Sequence, residues 1–258
     1  MYHRAVESKE EERLLLRRIQ EWRHLFKLDP NRTLSDAALE HICLSHTDAI
    51  VIGGTDGITF ENTFQLLKRV KQYDQYCVQE VSNVHAIVPG FDGYLIPAVF
   101  NTRDATWFKE AHVAALKTYG DFVPWDQVVM EAYVSLNPDA KVSRLTKAIT
   151  NLEQSDLIAY LRLADRLFRL PIFYMEYSGA YGDVEKVKAV SQEINNARLF
   201  YGGGLVDQAQ VKAMASWADT IVVGNLIYTD VEQAVKTVSW VKETKRQKKK
   251  QRGKTPRL

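Results

Sequence analysis

From about residue 24 to residue 241, short apolar runs alternate with longer amphipathic stretches. The runs at 24–28, 49–52, 77–81, 93–97, 132–136, 172–177, 198–201 and 220–223 are rich in β-branched and aromatic residues, and several are continuously apolar. Parallel strands read this way, because a core covers one face and a layer of helices the other. Helical spacing of apolar positions falls between the runs, at 35–45, 60–72, 104–118, 155–168, 183–195, 207–217 and 229–241. Alternation through the whole length argues for a parallel α/β sheet, and eight strands argue for closure into a (β/α)8 TIM barrel. One crossover is irregular. The stretch from Val81 to Gly93 is too short for a helix and its loops, so the third helix is expected to be modified or missing. A doubly wound open sheet competes with this reading. It would place its glycine-rich turn after the first strand, whereas glycine clusters here follow several strands, including the last two.

The ends depart from this rhythm. Residues 1–21 are dense in charge, with Leu14, Leu15, Leu16 and Ile19 forming a partial stripe, and predict a short helix over 7–20 outside the repeat. Residues 242–258 hold nine Lys or Arg against one acid, Glu243, together with Gly253 and Pro256, and predict a disordered basic tail. The expected organisation is therefore an extension over 1–21, a barrel over 22–241 and a tail over 242–258. The chain's 258 residues suit one barrel. Its formal charge of +2 hides a net acidic body behind the basic tail. Cys43 and Cys77 have no motif spacing, and no secretory signal precedes them, so two reduced core thiols in the cytoplasm are expected. No apolar run approaches the roughly 20 residues that cross a bilayer, so a lipid substrate would be met from the aqueous side. The tail could touch an anionic membrane face, with a solvated end as the plainer reading.

In such barrels chemistry sits where strands end. Gly202–Gly204 and Gly224-Asn225 follow the last two strands, where phosphate sites in these barrels are commonly built; glycine lets the backbone approach the anion. Tight turns alone would also explain them. Lys27 and Asp29 lie on one face at the end of the first strand. The lysine can neutralise phosphate and the carboxylate can hold a hard cation such as Mg2+, with Thr55 offering an oxygen to the same ion; an ion pair or an Asp-Pro turn is the alternative. Glu176 interrupts the apolar strand Ile-Phe-Tyr-Met-Glu-Tyr. A carboxylate in such surroundings needs a partner or takes up a proton, which suits it to bind a hydroxyl or accept its proton. Glu80 has a similar but less distinctive position.

The six histidines form no zinc spacing, and His112 reads as a helix-surface residue. Nucleophile elbows, Walker loops and aspartate-rich double motifs are absent. A phosphosugar isomerase or aldolase could use the same phosphate cup, but would want a second acid/base or a Schiff-base lysine, for which Lys27 is the one strand-end candidate. A nucleic-acid module would rest on the tail alone, without a basic body, and is disfavoured.

The segments Phe26-Lys-Leu-Asp-Pro30, Ile52-Gly-Gly-Thr-Asp-Gly57, Glu80-Val-Ser, Val88-Pro-Gly-Phe-Asp92, Phe173-Tyr-Met-Glu-Tyr-Ser-Gly179, Leu199-Phe-Tyr-Gly-Gly-Gly204 and Val222-Val-Gly-Asn225 resemble the geranylgeranylglyceryl/heptaprenylglyceryl phosphate synthases, closest to the bacterial heptaprenyl branch. The resemblance runs from about Trp22 to Val241. It implies a homodimeric, Mg2+-dependent prenyltransferase that joins sn-glycerol 1-phosphate to a polyprenyl diphosphate by an ether bond. Lys27 would then contact glycerol phosphate, and Asp29 and Thr55 would bind Mg2+. Tyr174, Met175, Glu176, Tyr177, Ser178, Gly179, Gly204, Gly224 and Asn225 would line the glycerol phosphate pocket, with Glu176 orienting the attacking hydroxyl. Relatives often carry Gly-Ile after the third glycine and a small residue after Asn225, where Leu205 and Leu226 stand here. Ala115 resembles the small residue of long-chain members, which implies a heptaprenyl donor; helix propensity alone would also explain an alanine there.

Overall fold

A computed structural model describes residues 14–247. Eight parallel strands close into a barrel in sequence order: β1 (His24–Leu28), β2 (Ala49–Ile52), β3 (Cys77–Glu80), β4 (Gly93–Val99), β5 (Val128–Ser135), β6 (Ile172–Glu176), β7 (Arg198–Gly202) and β8 (Thr220–Val223). Closure is made by β1 against β8, with Phe26 beside Val223. The outer layer comprises α1 (residues 14–21), α2 (Asp36–Cys43), α3 (Phe60–Val70), α4 (Ala111–Tyr119), α5 (Lys141–Thr146), α6 (Gln154–Arg162), α7 (Val184–Glu193), α8 (Gln208–Ala215) and α9 (Val231–Glu243).

Side-chain oxygens start several of these helices by accepting from otherwise unpaired backbone N–H groups. Ser35, Asp183, Asp207 and Asp230 do so for α2, α7, α8 and α9, and Thr59 and Asn62 form a reciprocal capping box on α3. No crossover helix separates β3 from β4. One 3-10 turn, Val84–Ala86, stands in its place. The Gln79 amide pins this segment, donating to the Ala86 carbonyl at 2.7 Å and accepting from the Val88 N–H at 3.1 Å.

Most boundaries shift from the expectations by a few residues, and three differences matter for the fold. β5 begins at Val128 rather than 132, because Glu131 belongs to the strand although it interrupts the apolar run. The six-residue helix α5 was not expected, being short and polar. The charged end also belongs partly to the fold. Lys242 pairs with Asp48 at 2.9 Å, Arg246 pairs with Asp219, and Gln247 N–H donates to Ser216 O, so residues past 241 pack on the barrel. The remaining tail, 248–258, and the first half of the predicted N-terminal helix lie outside the described residues.

The described part of that helix, α1, plugs the barrel floor. Leu15, Ile19 and Trp22 are buried in one cluster with Leu25, Val78, Val129 and Phe200, the inward side chains of the strands. Gly93 makes this possible, since a Cβ there would lie 2.9 Å from a Leu15 methyl. Both cysteines are free and buried, and burial raises the Cys43 thiol to about 12. With its floor closed, the barrel opens at the C-terminal ends of its strands.

Candidate active site

A cavity of about 1130 Å3 opens at that mouth. On β1, Lys27 points into it, 18% exposed, and its Nζ donates to both Glu80 oxygens at 2.6 and 2.8 Å. Burial disfavours this charge, but the Glu80 and Glu176 carboxylates outweigh it and hold the ammonium above the ordinary lysine range. The Tyr133 and Tyr174 rings each lie 5.8 Å from Nζ. Lys27 is thus a fixed cation, and a poor Schiff-base amine.

Asp29 follows at the strand's end. Its Oδ1 accepts from Asn31 N–H at 2.9 Å, and its own N–H donates to the Tyr228 hydroxyl at 2.7 Å. A Cβ on Gly54 would sit 2.8 Å from Asp29 Oδ1, so glycine there brings the carboxylate against the turn that carries Thr55. A carboxylate and a hydroxyl are hard oxygen donors, the set Mg2+ takes when substrate phosphates complete its shell. The described residues hold no group of three His, Cys, Asp or Glu poised for a metal, so any ion here relies on oxygens from a ligand or water.

Glu176 ends β6 and is 5% exposed. Its partner is local: Oε1 accepts from the Ser178 N–H at 2.6 Å and from the Ser178 hydroxyl at 2.9 Å. A Cβ on Gly202 would lie 2.9 Å from Glu176 Oε2 and 2.5 Å from the Tyr174 hydroxyl, so that glycine leaves room for both groups side by side. Burial, then the Glu176 charge, raises the phenols of Tyr133 and Tyr174 well above their usual range and keeps them neutral donors. The turn after β7 needs glycine: Gly203 and Gly204 have φ of +131° and +56°, and a Cβ on Gly204 would meet the Ala180 backbone at 2.2 Å. Across from it, Asn225 opens a 3-10 turn (Asn225–Tyr228), its Oδ1 accepting from Arg32 at 3.0 Å. Arg32 lies over the Tyr228 ring, 3.7 Å from its centroid.

The cavity therefore gathers Lys27, Asp29, Thr55, Tyr174, Glu176, Ser178, Gly179, Gly204, Gly224 and Asn225. Three expected residues stand outside its lining. Met175 and Tyr177 flank Glu176 on the opposite face of the strand and are buried in the layer beneath the helices, as period-two alternation requires. Ala115 is half-buried on α4, one turn past His112. It is His112, expected on the surface, that lines the cavity, with Nε2 3.2 Å from the Pro97 carbonyl.

Arg32 and Glu131 also belong to the site. Arg32 has no signal beyond lying near Asp29. Glu131 sits fully buried beneath Lys27, lining a small pocket with Lys27, Glu80 and Tyr174, with the Glu80 carboxylate as its hydrogen-bonding neighbour. Burial and the Glu80 charge raise its carboxyl well above the ordinary range. Extending the alternation Val129, Glu131, Tyr133 back along β5 would have found it.

A model of the PcrB family matches residues 17–242. The chain belongs to this family. Among curated relatives, the heptaprenylglyceryl phosphate synthases of Bacillus cereus (strain B4264) and Bacillus anthracis (strain A0248) are each 54% identical over 224 residues, covering 87% of this chain and 98% of theirs. Among solved structures, the (S)-3-O-geranylgeranylglyceryl phosphate synthase of Thermoplasma acidophilum, in complex with its substrate sn-glycerol-1-phosphate, superposes with a TM-score of 0.75 at 21% identity. That match covers 88% of this chain and 97% of the other. A Mycobacterium tuberculosis tryptophan synthase reaches 0.53 at 14% identity, covering 92% of this chain and 99% of the other. At these identities the structures establish the shared barrel. The PcrB assignment itself rests on the sequence match.

Proposed function

We propose that this PcrB protein transfers a polyprenyl group, heptaprenyl in the natural reaction, from its diphosphate to sn-glycerol 1-phosphate. The observation that carries this reading is the convergence of Lys27, Asp29, Glu176 and the two glycine turns on one cavity, in a chain 54% identical to heptaprenylglyceryl phosphate synthases. The phosphate of glycerol phosphate fits the cup between Gly204 and Gly224-Asn225, with Lys27 and Arg32 supplying positive charge. The free hydroxyl turns toward Glu176, whose orientation Ser178 fixes. Its oxygen attacks the allylic carbon, the new C–O bond forms as the carbon–diphosphate bond breaks, and the hydroxyl proton passes to Glu176. Asp29 and Thr55 would hold Mg2+, which when bound supplies charge to offset that of the departing diphosphate. The neutral phenols of Tyr133 and Tyr174 exclude water and line the space where carbocation character develops.

The tail of the donor fits the side of the mouth left open by the missing third helix. Ile96, Pro97, Val99, Trp107, Ala111 and Leu145 give that side an apolar stretch. Ala115 lies on the same α4 face as His112 one turn beyond the cavity, where a long tail would pass. A homodimer is supported by the exposed apolar side chains Val113, Leu116, Tyr119, Phe122 and Trp125, which follow one another along α4 and the turns after it. No helix among the described residues is long and apolar enough to cross a membrane. The basic tail suits a cytoplasmic enzyme that collects its lipid donor at an anionic membrane face.

The test is incubation with labelled sn-glycerol 1-phosphate, Mg2+ and polyprenyl diphosphates of graded length, followed by organic extraction. Label should enter the organic phase, most with heptaprenyl diphosphate, and chelating the metal should stop it. Label that stays in water with every donor would refute the reading.

A further inference from the structure

Among the described residues, three permanent cations line the cavity: Lys27, Arg32 and Lys141. Two already have fixed duties. Lys27 is gripped by both oxygens of Glu80, and Arg32 is held between Asn225 and the Tyr228 ring beside the glycine turns. Lys141 is different. It opens α5, after β5, and its Nζ reaches across the mouth to Asp56 in the turn after β2, at 2.9 and 3.1 Å from the two carboxylate oxygens. Strands β3 and β4 lie between these anchor points, so the ion pair spans the sector that lacks a crossover helix. Both partners are exposed, at 65% and 59%, and an exposed pair of this kind contributes little and exchanges readily.

We propose that Lys141 is the residue that receives the diphosphate of the prenyl donor, with Asp56 holding its ammonium until the donor arrives. The proposal rests on the function proposed above and deepens it by assigning the leaving group's cation. Asp56 directly follows Thr55, and Gly54 before them abuts the Asp29 carboxylate. An anion with one phosphate beside Asp29 and Thr55 therefore has Lys141 as its neighbour on the groove side, while Lys27 and Arg32 stay with glycerol phosphate. The tail, attached to that diphosphate, then enters the apolar sector beneath the bridge. On binding, diphosphate oxygens replace the Asp56 carboxylate around Nζ. When the product diphosphate leaves, the Asp56 pair re-forms. A lysine ammonium is a compact charge on a flexible stem and suits such an exchange of partners.

Calorimetric titration with inorganic diphosphate plus Mg2+, and separately with sn-glycerol 1-phosphate, tests this on wild type, Lys141→Gln and Lys141→Arg. Lys141→Gln should weaken diphosphate binding by about tenfold or more, raise KM for the prenyl donor in step, and leave glycerol phosphate affinity unchanged. Lys141→Arg should recover most of the loss. Diphosphate binding by Lys141→Gln at wild-type strength would overturn the proposal, as would an equal loss of glycerol phosphate binding. The two readings fail separately. If Lys141-dependent diphosphate binding is seen without any ether product, the Lys141 assignment stands and the transferase reading falls. If product forms while Lys141→Gln titrates like wild type, the reverse holds.

Discussion

The two sides of the mouth are built by opposite means. On the β6–β8 side, selection rests on charge and backbone: a carboxylate 5% exposed, fixed by Ser178, and glycine turns at positive φ that no other residue would adopt without strain. On the β3–β4 side a single 3-10 turn replaces a helix, and α4 is entered through a π-helical turn, Thr106–Glu110. There Val84, Ile96, Pro97, Val99 and Trp107 give the lining an apolar stretch, beside the polar Ser82, Asn83 and His85. The first side suits a small anion whose every atom must be placed. The second suits a long hydrocarbon, recognised by buried area rather than by direction. On the function proposed above, one barrel would join two unlike ligands by leaving out part of its own repeat.

The sharpest test of the charged side is Glu176→Gln. It should lower kcat by about 10²–10⁴-fold, the usual contribution of a positioned base. Glycerol phosphate affinity, measured by titration, should change far less. Equal losses in both would make Glu176 a binding residue only. Next in size is Gly204→Ala. A side chain in the left-handed region costs about 1–2 kcal/mol, and this one also meets the Ala180 backbone. Both melting temperature and glycerol phosphate affinity should fall, whereas inorganic diphosphate should bind as before.

On the apolar side the expected effects are smaller. Ala115→Trp should reduce kcat/KM for heptaprenyl diphosphate by about tenfold, the scale on which a pocket discriminates by size, and should spare shorter donors. An unchanged length preference would remove Ala115 from the tail's path.

Smallest is an effect beneath both sides. Burial and the Glu80 charge raise the Glu131 carboxyl in the fold, whereas in the unfolded chain it ionises above about pH 4.3. The folded state then binds the extra proton, so stability falls as pH rises through the window above that value. Glu131→Gln removes the penalty. It should raise the melting temperature by about 2–4 °C at pH 8, as roughly 1 kcal/mol does in a chain of this size, and by less at pH 5. A gain that is larger at pH 5, or a loss at both, would contradict a raised Glu131 carboxyl.

How far the sequence foretold these two sides follows from the range of each signal. β1, β2 and β8 are legible to the residue because their apolar runs are bounded by polar or glycine positions. The missing helix is legible as a spacing, and Glu176 as a charge inside an aromatic strand. Glu131 escaped because the same kind of acid, at the start of a strand, reads as a loop. The motif around Glu176 groups Met175 and Tyr177 with the pocket, although alternation along the strand sends their side chains the other way. The Lys141–Asp56 bridge joins residues 85 apart with no local mark on either. Only closure of the barrel brings them together.

The central claim is that one cup holds the phosphate while Glu176 faces the hydroxyl. A crystal structure with sn-glycerol 1-phosphate tests it most directly. The phosphate should lie between the Gly204 and Gly224-Asn225 turns, with a glycerol hydroxyl within hydrogen-bonding distance of the Glu176 carboxylate. Phosphate bound elsewhere, or a glycerol chain directed away from Glu176, would contradict the account.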